Sequence, residues 1–189
     1  MRIIDITQEL FSSRVYPGDK PPKFERVASI ETDICNLTNI SLSVHNGTHI
    51  DAPRHFIANG KSVNELDLCI FYGECTVVEF SGIVSESHME KILTACHKRL
   101  LFKGEIELTE KAATKLANSH VKLIGTESQS IASFEAPVPV HVILLEKEII
   151  PLEGLNLSHV KPGEYILSAF PLNMHETEGS PVRAVLIEC

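Results

Sequence analysis

The sequence has few basic side chains, no paired cysteines and no long apolar run. Its five cysteines include no Cys-x-x-Cys pair, which is typical of reduced thiols in a cytoplasm. Lysine and arginine number 17 against 25 acidic residues, and the net charge of −8 argues against a nucleic-acid or anionic-membrane partner. No stretch approaches the roughly 20 apolar residues of a membrane span, and Asp5 is too early for a secretory signal. We therefore expect a cytoplasmic protein with no membrane or nucleic-acid partner.

The remaining composition is that of an ordinary globular protein, with 43% hydrophobic and 22% charged residues in a chain of 189. This length predicts one domain, residues 1–189. A capping box of Ser87 and Glu90 opens one predicted helix, and Thr109 caps a second. The apolar run at 140–145 predicts a strand covered on both faces. Several further strand-like segments complete the pattern, so we predict an α/β fold with mixed sheets and two main helices.

Three histidines and one aspartate occur within eleven residues of the chain, at spacings of four, two and four. Alternating apolar residues before His45 predict a strand that ends at this histidine. Asn46-Gly47 is a strong turn signal, so His49 and Asp51 leave on a second extended segment. Residues two apart in an extended segment point to the same side, and the two side chains therefore share a face.

Imidazole nitrogen and carboxylate oxygen are the ligands of hydrolytic zinc and manganese sites. A tight turn could bring His45 and His49 to one ion, while Asp51 could bind that ion or bridge two. Pro53 argues against a helical His-x-x-x-His site. His55 follows the proline and need not be a ligand, and a free imidazole with a pKa near 6.5 can act as a proton shuttle. This spacing favours a metal site over chance clustering.

Two residues further along the chain are ambiguous by themselves. His141 is the single polar residue of its apolar run, and it is either a hydrogen-bonded core residue or a ligand that faces a cavity. The run alone favours the core interpretation. Glu153 is expected in a loop or a first helical turn, where a solvated carboxylate is the simpler interpretation.

Several segments together carry a resemblance to a known family. The main one is Ser43-x-His45-x-Gly47-Thr48-His49-x-Asp51-x-Pro53-x-His55, and the supporting ones are Asp5-Ile6-Thr7, Pro17-Gly18-Asp19, Gly125-Thr126, the pair His141 and Glu153, and Ser180-Pro181-Val182-Arg183-Ala184. These segments span nearly the whole chain. It resembles the cyclase family of metal-dependent hydrolases, which includes bacterial kynurenine formamidases and isatin hydrolase.

The resemblance implies a swivelling β/β/α fold, a homodimer or homotetramer, and one or two divalent ions per subunit, with Zn²⁺ the first candidate and Mn²⁺ the second. It also implies the roles of individual residues. The metal ligands would be His45, His49, Asp51, His141 and Glu153, with Asp51 able to bridge. His55 would be the proton donor or acceptor, so the resemblance changes the interpretation of His141 from core residue to ligand.

The sequence departs from the family pattern at three positions. Formamidases of the family carry a tryptophan before Pro-Gly-Asp that stacks on the substrate, whereas this protein has Tyr16 there and no tryptophan anywhere. We predict that Tyr16 binds the substrate. Glu127 stands where an aspartate is usual, and Ala132 stands where an acid is usual. These changes do not affect the predicted ligand set, but they bear on substrate specificity.

The predicted function is hydrolysis of a C–N bond in a small amide, formamide or lactam. Metal-bound hydroxide would attack the carbonyl, with His55 as the proton shuttle. The alternative is a metal- or small-molecule-binding protein of the same fold that has lost catalysis. A purely structural ion is the third candidate, although such sites are usually closed and rich in cysteine.

Overall fold

A nine-stranded mixed sheet organises the chain in the computed structural model, which describes residues 1–188. Within these residues there are thirteen strands: β1 (Arg2–Asp5), β2 (Lys23–Ala28), β3 (Leu37–Ser41), β4 (His49–Asp51), β5 (Tyr72–Glu79), β6 (Gly82–Val84), β7 (Arg99–Lys103), β8 (Ile106–Leu108), β9 (Leu123–Thr126), β10 (Ile150–Glu153), β11 (Gly163–Ser168), β12 (Gly179–Pro181) and β13 (Val185–Glu188). Three α-helices accompany them: α1 (Glu86–Leu93), α2 (Glu110–Ala117) and α3 (Val138–Leu145).

The order of strands in the main sheet is β1-β13-β11-β5-β7-β9-β10-β4-β12. Strands β5, β7, β9 and β10 are parallel to one another, and the pairs on either side of them are antiparallel. Two smaller sheets pair β2 with β3 and β6 with β8. The α/β class with mixed sheets, predicted from the sequence, is confirmed.

The sheet is curled, and strands from both of its ends therefore contribute side chains to one apolar core. Ile4 on β1, Leu101 on β7 and Ile50 on β4 all belong to this core. The curl is held near the first strand, where the Ile6 amide donates to the Ala184 carbonyl and the Ile6 carbonyl accepts from the Asn156 amide. Apolar side chains fill the concave side of the sheet. Strands β4 and β10 contribute residues to a cavity next to this core.

The helices cover the opposite face of the sheet over a second apolar core. Strand residues that alternate with the first set, such as Leu100 and Phe102, pack there against Met89 and Leu116 from the helices. Thr109 caps α2 as predicted, with its side chain accepting from the Ala112 amide. Each helix has eight residues, and none within 1–188 has the length and apolar character to cross a bilayer.

Two details of the predicted helices are wrong. Helix α1 is capped by Ser85, which forms its capping box with His88, so the cap lies two residues before the predicted cap at Ser87. The run at 140–145, predicted as a strand, lies in helix α3, and residues 1–188 therefore contain three α-helices rather than the two predicted. The residues buried in α3 fall at helical spacing, but an apolar run gives no periodicity by which to recognise it.

Two predicted strand boundaries near the motif also differ. The strand before His45 ends at Ser41, and His45 lies in a turn in which the Asn46 amide donates to the Ser43 carbonyl. Glu153 lies at the end of β10 rather than in a loop or a helical turn. The extended segment with His49 and Asp51 is confirmed as β4.

Candidate metal centre

A cavity of about 220 Å³ collects all the side chains predicted to bind metal or substrate or to transfer a proton. Those that line it are Tyr16, His45, His49, Asp51, His55, His141 and Glu153. They come from a loop, a turn, two strands, a 3₁₀ helix and an α-helix, at positions up to 137 residues apart. Convergence of this kind is made by the tertiary fold rather than by local chain geometry.

Strands β4 and β10 carry three of the candidate ligands, His49, Asp51 and Glu153. They are antiparallel, and Glu153 is directly opposite His49 in their register. His49 and Asp51 point into the cavity, because they are two residues apart in a strand, while Ile50 between them is buried in the first core. Nε2 of His49 lies 3.5 Å from Oε2 of Glu153 and 3.6 Å from Oδ1 of Asp51.

Helix α3 brings His141 to the other side of the same carboxylates. Its Nε2 lies 3.4 Å from Oε1 of Glu153 and 3.5 Å from Oδ2 of Asp51. Its Nδ1 lies 2.8 Å from the carbonyl oxygen of Pro137, and the ring of Phe56 stacks on the imidazole at 4.7 Å between centroids. The helix and this stacked ring therefore fix the direction in which Nε2 points.

His45 completes the cluster from the turn before β4. Its Nδ1 is 3.0 Å from Oδ1 of Asp51, and its ring packs edge-on against that of His49. Gly47 adopts a φ of +67°, a left-handed conformation that favours glycine. The Gly47 carbonyl oxygen lies 3.0 Å from Nδ1 of His49, which leaves Nε2 of that ring facing the cavity.

The residues present fit a divalent cation. There are two groups of three donor side chains, and within each group the ligand atoms lie within 4.8 Å of one another. The first group is His45, His49 and Asp51, and the second is Asp51, His141 and Glu153, so Asp51 belongs to both. Ligand atoms around a tetrahedral ion at about 2.1 Å lie about 3.4 Å apart. The 3.0–3.6 Å separations within the cluster match that spacing. Oδ1 of Asp51 is buried and makes no hydrogen bond within the described residues.

The cluster is strongly coupled electrostatically. Burial lowers the pKa of His49 and of His141, but their contacts with Glu153 and the nearby carboxylate charges outweigh burial and raise each pKa to about 9. Burial raises the pKa of Asp51 and of Glu153, and the neighbouring imidazoles reverse the effect and hold both below their ordinary values. The carboxylates therefore keep their negative charge, which is the form that binds a cation.

His55 stands beside this cluster without belonging to either donor group. It ends the short 3₁₀ helix Pro53–His55, and its ring lies 4.2 Å from that of His45 between centroids. Burial lowers its pKa, and the charge of Asp51 opposes that effect. A half-buried imidazole next to the candidate ligands, with its own access to the cavity, has the chemistry of a general acid or base.

Phe134 lines an adjoining cavity rather than this one, and it packs against Tyr16, an aromatic side chain in the wall of this cavity. The Tyr16 ring lies 5.0 Å from that of Phe134, tilted by 39°. Burial raises the pKa of the Tyr16 phenol, and the charges of Glu153 and Asp19 add to the effect, so the hydroxyl stays protonated. Phe134 lies in a polar loop, and no motif in the sequence marks it.

The two other departures from the family pattern have structural explanations. Glu127 is tied into the fold, since its carboxylate accepts from the backbone amides of Gly104 and Leu157, both at 2.6 Å. Ala132 is buried in the second core, on the helix side of the sheet. Neither side chain belongs to the cluster of histidines and carboxylates.

Comparison with known proteins agrees with this geometry. The Cyclase family model matches residues 4–133. Kynurenine formamidase of Salinibacter ruber is 32% identical over 206 residues, covering 98% of this chain and 97% of that protein. The solved structure of a predicted metal-dependent hydrolase from Bacillus stearothermophilus has a TM-score of 0.85 and 25% identity, covering 98% of this chain and 97% of its own. Isatin hydrolase A from Ralstonia solanacearum shares the fold, with a TM-score of 0.83, 22% identity, and coverage of 99% and 92%.

A curled mixed sheet with a buried cluster of histidines and carboxylates in a small cavity defines a metal-dependent hydrolase. The family match covers more than half of the chain, and the relative from Salinibacter ruber covers nearly all of it. The chain belongs to the cyclase family.

Proposed function

We propose that this protein hydrolyses a C–N bond in a small amide, formamide or lactam. The observation that carries the proposal is a pair of donor groups that share Asp51, in the same cavity as an imidazole that belongs to neither. The ligands would be His45, His49, Asp51, His141 and Glu153. Of the divalent ions, Zn²⁺ is our first candidate, with one or two per subunit, and Mn²⁺ is the second, because nitrogen and oxygen donors suit both.

The bound ion would supply positive charge that polarises the scissile carbonyl and acidifies water. His55 accepts a proton from the attacking water as the water oxygen bonds to the carbonyl carbon. His55 then returns this proton to the nitrogen as the C–N bond breaks, so that the products are an acid and an amine. Burial lowers the pKa of His55, which favours the neutral form needed to accept the proton.

The substrate class follows from the walls of the cavity and from the relatives. Tyr16 lines the cavity and, with Phe134 packed against it from an adjoining cavity, presents aromatic surface on which a planar ring can stack. The name kynurenine formamidase, carried by the relative from Salinibacter ruber, describes hydrolysis of a formamide on an aromatic amine. We therefore propose N-formyl aromatic amines as the first class to test, with isatin-like lactams and simple cyclic amides as the next.

The first test combines elemental analysis with two histidine variants. His49→Ala should lose bound metal and activity together, because His49 contacts both carboxylates of the cluster. His55→Ala should lower kcat by about 10²–10⁴ while nearly retaining the metal. His97→Ala is the matched control, since this half-buried histidine lies outside the cavity.

Each outcome of this test has a distinct meaning. Chelator-sensitive turnover of any substrate in the screen supports the proposal, and full activity of metal-free His49→Ala ends it. Equal loss of metal in His55→Ala would make His55 a ligand. Metal binding without turnover of any substrate would favour the alternative, a binding protein that has lost catalysis.

We also propose a homodimer or homotetramer in which the hairpin of β2 and β3 packs against another copy. The hairpin is exposed along nearly its whole length, and Phe24 and Ile40, opposite each other in register, are 60% and 59% exposed. An isolated two-stranded hairpin is marginally stable in water, so a covering surface is expected. Phe24→Ser with Ile40→Ser should reduce the mass measured by light scattering, and an unchanged mass would exclude this surface.

A cytoplasmic location is proposed from the cysteines. The four in the described part of the chain are all free thiols, and Cys35 and Cys69 are exposed. Exposed free thiols are typical of a reducing compartment. Fractionation of the source cells should find the protein with cytosolic markers.

A further inference from the structure

The histidines of the cluster differ in what holds the ring nitrogen that faces away from the carboxylates. In His49 this nitrogen is Nδ1, which lies 3.0 Å from the Gly47 carbonyl oxygen. In His141 it is also Nδ1, which lies 2.8 Å from the Pro137 carbonyl oxygen. A carbonyl can only accept a hydrogen bond, so each of these contacts keeps the proton on Nδ1 and leaves Nε2 free to bind a cation.

His45 has no such backbone partner within the described residues. Its Nδ1 faces Oδ1 of Asp51 at 3.0 Å, so Nε2 is the outer nitrogen. This Nε2 is buried and makes no hydrogen bond to any described residue. If Nδ1 binds a cation, the neutral ring must carry its proton on Nε2, and a buried N–H group requires an acceptor.

The carboxylate of Glu178 is in position to be that acceptor. Its Oε1 lies 3.7 Å from Nε2 of His45, which is slightly beyond hydrogen-bond distance. The side chain is 43% exposed, so a small rotation can close the gap. Its backbone is anchored, because the Glu178 carbonyl accepts from the Ala52 amide at 2.7 Å.

The residue after Glu178 holds this segment against the imidazole. Gly179 pairs with Asp51 in the β4–β12 ladder, and a Cβ at Gly179 would lie 2.9 Å from Cε1 of His45. Only a residue without a side chain allows the backbone to approach the ring so closely. The approach brings the Glu178 carboxylate to the outer edge of the imidazole.

We propose that Glu178 is a positioning residue, whose carboxylate accepts the Nε2 proton of His45 and directs Nδ1 toward the ion. This inference rests on the proposed role of His45 as a ligand. A carboxylate on the outer nitrogen of a ligating histidine fixes the tautomer and raises the basicity of the ring, and its loss typically weakens metal binding by about 10- to 100-fold. No motif in the sequence marks Glu178.

The test compares Glu178→Ala and Glu178→Gln with the wild type in metal affinity. Affinities for Zn²⁺ and Co²⁺ are measured by competition with a chelator, and the visible spectrum of bound Co²⁺ reports the ligand geometry. Glu178→Ala should bind one ion about 10- to 100-fold more weakly and change the Co²⁺ spectrum. Glu178→Gln should fall in between, because its amide oxygen can accept the hydrogen bond but carries no charge.

Glu176→Gln is the matched control, since Glu176 is an exposed acid in the same loop with no contact to His45. It should bind both metals as the wild type does. Wild-type affinity and an unchanged Co²⁺ spectrum in Glu178→Ala would overturn the inference. Loss of an ion as complete as in His45→Ala would also overturn it, by making Glu178 a ligand. A wild-type protein that binds neither metal would instead refute the proposed function itself.

Discussion

Replacing Thr48 with valine tests how the two strands of the site are held together. The buried Thr48 hydroxyl donates to the Gly154 carbonyl at 2.6 Å and accepts from the Gln8 amide at 2.9 Å. Thr48 directly precedes His49, and Gly154 directly follows Glu153, so one hydroxyl ties β4 to β10 beside the candidate ligands. Valine keeps the shape of the side chain but removes both hydrogen bonds.

The expected loss of stability follows from these two contacts. A buried polar group that loses its partner costs about 1–3 kcal/mol. The Gly154 carbonyl is buried and should show the full cost, whereas Gln8 is half-buried and its amide can reach water. The lost hydrogen bond to the Gln8 amide adds about 1 kcal/mol, so we expect Thr48→Val to lower the free energy of unfolding by about 2–4 kcal/mol. Thr48→Ser keeps both hydrogen bonds and loses one methyl group, which should cost about 1 kcal/mol.

The measurement is urea unfolding of the metal-free proteins, followed by chelator competition for Zn²⁺. Thr48→Val should be the less stable variant, and it should also bind metal more weakly, because the ends of β4 and β10 that carry His49 and Glu153 can separate. If Thr48→Val proved as stable as Thr48→Ser, the hydroxyl would not be the link between the strands. Lower stability with unchanged metal affinity would confine its role to the fold.

Three further predictions concern the cluster and the cores. Since His49 and His141 have pKa values raised to about 9, both are protonated at pH 7 without metal, and binding must release their protons. The apparent affinity for the metal should therefore rise with pH from 7 to 9. Calorimetry in buffers of different ionisation enthalpy should detect about two protons released per fully loaded site. A metal affinity that does not change with pH would contradict this prediction. Gly179→Ala places a Cβ 2.9 Å from both Cε1 of His45 and the Ile50 carbonyl oxygen, so it should cost about 1–3 kcal/mol in urea unfolding and weaken metal binding. Wild-type values would show that the ring and the strand can both move away. Burial raises the pKa of Cys75 to about 12, and this thiol should react with a disulfide reagent only after unfolding; rapid reaction of the folded protein would show that β5 opens locally.

The interpretation of His141 shows where reasoning from sequence fails and why. An unbroken apolar run fits a buried strand and a buried helix equally well, and the strand was the wrong choice. The ambiguity mattered for the site, because the helix sends His141 toward Asp51 and Glu153. Resemblance to the family grouped His141 with Asp51 and Glu153, which it contacts, without indicating that a helix carries it.

The positions of three candidate ligands could be predicted from the sequence alone. Asn46-Gly47 forces a turn and β4 alternates its faces, so His45, His49 and Asp51 are held together within seven residues by the chain itself. The positions of the other two depend on strand register and on helix packing. Only the antiparallel pairing of β4 with β10 sets Glu153 opposite His49, and only the packing of α3 brings in His141.

The sequence by itself determined the α/β class and the grouping of the candidate ligands His45, His49 and Asp51, because side-chain type and short spacing are local properties. The tertiary structure decided that these side chains share one cavity, that Tyr16 faces Phe134, and that Glu178 stands behind His45. The physical reason is that such contacts join residues distant in the chain. Their geometry is set by how the sheet curls and where its strands end, and no local pattern encodes it.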